Sequence, residues 1–171
     1  MDEKELEQYF ESRPGWIKSN ETNRESPRGV LSVDGKAFPY TVCKREMQSS
    51  IQYFVGYPSQ QHLFISDEVP KPDREYYLKH EIREFTDPEL KDKEGRCFES
   101  LIRELEQVTD EIKASGYISR RTKMYEDLFL YFDGLVKNNQ TNTPEQVKGF
   151  ELMRNEVSKS LDYLRSLNKE E

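Results

Sequence analysis

The chain has 171 residues, 35% of them charged and 34% hydrophobic, and a formal net charge of −7. That length suits one domain with a proper core, read here over residues 1–171 as a helix-and-sheet part up to 70 and a helical part from 71. The acidic balance disfavours general binding to nucleic acid or anionic lipid, and no apolar run approaches the roughly 18–20 residues of a membrane span.

The opening Met1-Asp2-Glu3-Lys4-Glu5 is acidic, unlike the basic-then-apolar start of a secretion signal, so a cytoplasmic protein is expected. Two cysteines, Cys43 and Cys97, form no CxxC pair and read as reduced thiols.

In chain order, residues 3–11 carry a narrow stripe of Leu6, Tyr9 and Phe10 and predict a short helix, ended by Arg13-Pro14-Gly15. A polar loop follows. Asp34-Gly35 then separates two β-prone runs, residues 29–33 and 36–43, and predicts a hairpin, because Asp and Gly tolerate the positive φ of a primed turn. Pro39 pushes the second run toward a sheet edge or a bulge. Residues 51–57 and 62–65 supply two further strands, giving a small, mostly antiparallel sheet.

From residue 73 the pattern is helical. Asp73 to Phe85 reads as one helix, stopped by Asp87-Pro88. Phe98, Leu101, Ile102, Leu105, Val108 and Ile112 repeat at helical spacing, as do Met124, Leu128, Tyr131, Phe132 and Leu135 after Gly116. The last helix has the fullest signals: Thr143-Pro144-Glu145-Gln146 supplies an N-cap, a proline at the first helical position and a Gln able to close a capping box. Its expected buried stripe is Val147, Phe150, Met153, Val157, Leu161 and Leu164. Segregation of strands from helices predicts an α+β fold.

The residues that carry chemistry lie on the helix from Asp73. His80 and Glu84 are one turn apart and share a face, the arrangement a metal needs from ligands on a helix. Glu81 stands beside them as a general base. Tyr77 and Phe85 flank Glu81 at four-residue spacing, and Tyr77 is taken as substrate-facing. His62 lies in an alternating run and is either an exposed strand residue or, beside the helix, a substrate-binding residue or an extra ligand. Cys97 and Glu99 compete as further ligands. Carboxylate donors admit Mg²⁺ or Mn²⁺ besides zinc. Elsewhere, Ser119-Arg120-Arg121-Thr122-Lys123 reads as a solvated helix start or as an anion site, and Tyr125, Phe129, Tyr131 and Phe132 read as core.

The run from Leu63 to Phe85, an apolar strand and a proline turn leading through Arg74, Tyr76 and Leu78 to His80-Glu81, resembles the active-site strand and helix of minimal gluzincin-type metallopeptidases of the ImmA/IrrE group. Their HExxH motif holds zinc by two histidines while the glutamate removes a proton from water. His80 and Glu81 match that motif, and Glu84 stands where the second histidine is usual. The resemblance implies a zincin-like fold, a peptide or protein substrate, and a third ligand from the next helix, for which Glu104 has a suitable spacing. The competing expectation is a non-catalytic regulatory protein that binds another protein through the helical half or the sheet edge.

Overall fold

The computed structural model describes residues 28–43, 55–56, 63–90, 94–138 and 141–169. The expected helix over 3–11, most of the strand over 51–57, and His62 lie outside them. Two compact units are distinguished, Met1–Ile82 and Arg83–Glu171. The sequence places the change of character at Pro70; the division falls twelve residues later, inside a helix.

In the first unit, β1 (Arg28–Val33), β2 (Lys36–Cys43), β3 (Val55–Gly56) and β4 (Leu63–Ser66) form one sheet in the order β1-β2-β4-β3. β1 and β2 are joined by the expected turn, with φ of 51° at Asp34 and 75° at Gly35, the signature of a type I′ hairpin. β3 and β4 pair antiparallel, but β2 and β4 run parallel, so the sheet is mixed and mostly antiparallel.

Pro39 lies in β2, between two neighbours, and not in an edge strand or at a bulge. Its register against β1 explains why this costs no hydrogen bond on that side. Counting from the turn, Val33↔Lys36 is a hydrogen-bonded pair and every second pair is not, which puts Val30↔Pro39 at a non-bonded position. Among the described residues, the ladder to β4 runs from Tyr40↔Leu63 to Cys43↔Ser66. Opposite Gly29 sits Tyr40, whose ring atoms lie 2.5 Å from where a β-carbon on Gly29 would be. The aromatic ring thus covers the glycine across the strands.

After β4 the chain turns on Ser66, which accepts from the backbone of Val69 (3.2 Å) and, through its hydroxyl, from that of Glu68 (3.2 Å). A 3-10 turn over Lys71–Asp73 leads into α1 (Arg74–Thr86). Arg74 donates to the carbonyls of Val69 (2.9 Å) and Asp67 (3.2 Å), so this arginine ties the turn to the helix start. Among the described residues of this unit, Val42, Leu63, Ile65, Val69, Tyr77, Leu78 and Ile82 are buried and apolar.

The second unit contains the end of α1 and then α2 (Arg96–Gln107), α3 (Asp110–Ala114), α4 (Tyr117–Lys137) and α5 (Pro144–Asn168). The pattern from Phe98 to Ile112 is two helices and not one. Val108 and Thr109 are extended, and the Thr109 side chain accepts from the Ile112 amide to cap α3. α4 and α5 form an antiparallel pair, tied by Arg154–Asp133 (3.1 Å), Arg165–Glu126 (3.4 Å) and Asn168–Thr122 (3.2 Å). α2 meets α5 through Cys97–Glu156 and the edge-on rings of Phe98 and Tyr163.

Because those α2 contacts fall on residues 156–163 of α5, the buried stripe of α5 is shorter than its periodicity suggests. Val157, Leu161 and Leu164 are buried, whereas Met153 is 42% exposed. The capping box forms as expected: Thr143 Oγ1 accepts from the Gln146 amide, and the Gln146 side chain accepts from the Thr143 amide. These features set two stability expectations for urea melts. Leu161→Ala should cost about 2–4 kcal/mol through its cavity, and Thr143→Ala roughly 1 kcal/mol through the lost cap. Equal, negligible effects would show that α5 adds little to the core.

The fold is α+β, with all strand among the described residues preceding Pro70. No helix among the described residues is long and apolar enough to cross a membrane.

Candidate metal site

The site is built on α1 and the first turn of α2. His80 and Glu84 are both buried, and their one-turn separation on α1 aligns them. The division between the units passes between them, yet α1 runs through it unbroken, so their spacing is a property of the helix. Within the second unit, the end of α1 is tied to α2 by Arg83–Gln107 and by the Arg96 guanidinium, 5.1 Å from the Phe85 ring centre. Arg103 on α2 adds ion pairs to Asp87 and to Glu89 (3.0 Å) in the turn between them.

Arg96 precedes Cys97 and Phe85 follows Glu84, so this stacking brings the next residues along. One ligand atom from each of His80, Glu84 and Cys97 lies within 4.8 Å of the other two, and these residues could hold a metal ion. Tetrahedral zinc with ordinary bonds to S, N and O separates its donors by ~3.5 Å.

Of the two further α2 candidates, Cys97 joins this group. Glu99, two positions on, is exposed on another face of the helix. Glu104 shares the face of Cys97 but lies two turns away, roughly 10 Å along the axis. Its carboxylate is already claimed. Oε1 accepts from Arg121 Nη2 at 2.5 Å, and Oε2 accepts from Arg121 Nε and from the Tyr117 hydroxyl, each at 2.9 Å. Glu104 and Arg121 are 1% and 2% exposed, a buried ion pair with its hydrogen bonds filled. The expected role of Glu104 as third ligand is corrected to that of a structural anion.

Tyr77 lies on the stripe of His80 and Glu84 but is 3% exposed, which makes it core and gives it little surface for a substrate. Glu81 is half-buried beside His80. The basic cluster of α4 serves the fold. Arg120 donates to Ser115, Arg121 to Glu104, and Lys123 pairs with Asp127.

Tyr125, read from the sequence as core, also reaches the site. Its hydroxyl lies 3.6 Å from Cys97 Sγ. Burial first, and the neighbouring Cys97 second, push its phenol well above the ordinary range, against the opposing pull of Arg121. The hydroxyl therefore stays protonated and is available as a donor. Helical spacing could show that Tyr125 faces inward, but not which atom its hydroxyl meets.

Comparison with known proteins finds no match among family models, curated proteins or solved structures. The gluzincin resemblance therefore rests on the residues from Leu63 to Phe85 alone.

Proposed function

We propose that this chain is a zinc-binding protein whose ion is held by His80, Glu84 and Cys97. The convergence of one nitrogen, one oxygen and one sulfur donor within 4.8 Å carries this reading. A thiolate in the set favours zinc over Mg²⁺ or Mn²⁺, which the two carboxylates expected from the sequence had left open. A reduced thiol also fits the cytoplasmic setting proposed from the sequence.

Three protein ligands leave a fourth position of a tetrahedral site for water or substrate, as in catalytic zinc sites. The ion would supply Lewis acidity there. On that basis the gluzincin resemblance extends the proposal to a metal-dependent peptidase in which Glu81 serves as general base. The ligand set departs from the gluzincin pattern by a carboxylate at position 84 and a thiolate from the next helix.

Calorimetric titration of untagged protein with zinc tests the reading. One ion per chain is expected, with His80→Ala and Cys97→Ser each weakening binding by more than ~10-fold, the scale on which even outer-shell losses fall. Binding that is absent, or indifferent to both substitutions, would remove the site and the peptidase reading with it.

A further inference from the structure

We propose that Tyr125 is a positioning residue for the Cys97 sulfur: its hydroxyl donates to that sulfur and sets the direction in which the remaining lone pairs meet the metal ion. The inference rests on the metal-binding reading above and adds an outer shell, built by α4 and α5, that the ligands alone do not reveal.

The geometry is that of two facing stripes. Tyr117, Arg121 and Tyr125 follow one another at four-residue spacing along α4, so they share one face. Cys97 and Glu104 share a face of α2. Tyr117 and Arg121 bind Glu104, and Tyr125, one turn further, meets Cys97. The Arg121 guanidinium also lies over the Tyr125 ring, 5.3 Å from its centre, so the group that neutralises Glu104 backs the tyrosine as well.

The other side of Cys97 is fixed from α5. Its amide, in the first turn of α2, donates to Glu156 Oε1 at 2.7 Å. Backbone and side chain of Cys97 are thus held by different helices of the same unit. A sulfur ligand free to rotate gains little from lying near two other donors. One whose hydrogen bond is preset meets the ion with less ordering left to do, which is how outer-shell partners raise metal affinity. On binding, the thiol proton passes to solvent and the thiolate sulfur accepts from the phenol. A phenol is protonated at neutral pH even at its ordinary pKa, so the donation does not depend on a shifted titration.

Cobalt(II) replaces zinc as a visible probe, because a thiolate bound to cobalt gives a charge-transfer band whose energy reports the electron density on sulfur. The full chain should show this band, and Cys97→Ser should abolish it. Tyr125→Phe keeps the ring and removes the donor. It should move the band to lower energy and weaken cobalt binding ~10-fold or more, whereas a merely structural role for the ring leaves the band energy unchanged. A folded Tyr125→Phe protein with an unshifted band overturns the inference while sparing the metal site. A band missing from the unaltered chain, or surviving Cys97→Ser, takes down both. Should Tyr125→Phe fail to fold, resonance Raman of the unaltered cobalt protein reads the same hydrogen bond. The cobalt–sulfur stretch should shift between H₂O and D₂O, and an unshifted stretch overturns the inference.

Discussion

Arg121→Ala is expected to destabilise the helical unit by about 3–5 kcal/mol, because it leaves the Glu104 carboxylate buried without its cation. The loss is of a kind that surface ion pairs do not show. Lys123–Asp127 at 2.9 Å is an i,i+4 pair with the lysine largely exposed, and pairs of that sort contribute ~0.3–0.5 kcal/mol. Around Arg121, by contrast, every charge has been withdrawn from water. Replacing both partners, Glu104→Met with Arg121→Met, should restore part of the loss, since apolar side chains of similar volume need no counter-charge, while the buried Tyr117 hydroxyl, which loses its Glu104 acceptor, holds back the rest. Urea unfolding of the single and double variants measures both effects. A single substitution costing under about 1 kcal/mol would mean that water reaches the pair, and its burial would then not explain why Glu104 stands apart from the candidate metal site.

Glu84→His is expected to raise zinc affinity by about one order of magnitude or more, because imidazole suits zinc better than a carboxylate and the new set keeps Cys97. The substitution restores the full HExxH spacing on α1, with Glu81 between the two histidines. Peptide hydrolysis, if it follows, should disappear on Glu81→Gln, which keeps the shape and removes the base. Zinc calorimetry decides the first step. Equal weak binding before and after the change would show that the three donors do not close around an ion, and α1 would then be a helix whose His-Glu pair serves only the fold.

Local chemistry made parts of this molecule legible in advance. Asp34-Gly35 specified its turn because positive φ is tolerated by few residue types. Thr143 and Gln146 specified a helix start because their side chains satisfy each other's amides within four residues. His80 and Glu84 were paired by the period of a helix alone. In each case the interacting groups are close in sequence, so no knowledge of packing is needed.

What failed to show in the sequence was decided across long separations. The parallel pairing of β2 with β4 depends on how the chain returns between them, which no local pattern specifies. The helical stripe of α5 continues to Met153, but burial ends where contact with α2 ends.

The third donor is the sharpest instance. By spacing, Cys97 and Glu104 are equivalent, since two full turns bring both to one face of α2. Tertiary structure separates them through α4, where Arg121 pairs with Glu104 while the Tyr125 hydroxyl lies against the Cys97 sulfur, and Cys97, not Glu104, falls in the group that could hold an ion. Sequence periodicity determines which face a residue occupies; only the packed neighbours determine whether its charge is already spoken for, because a buried carboxylate must be neutralised by whatever cation the opposing helix presents.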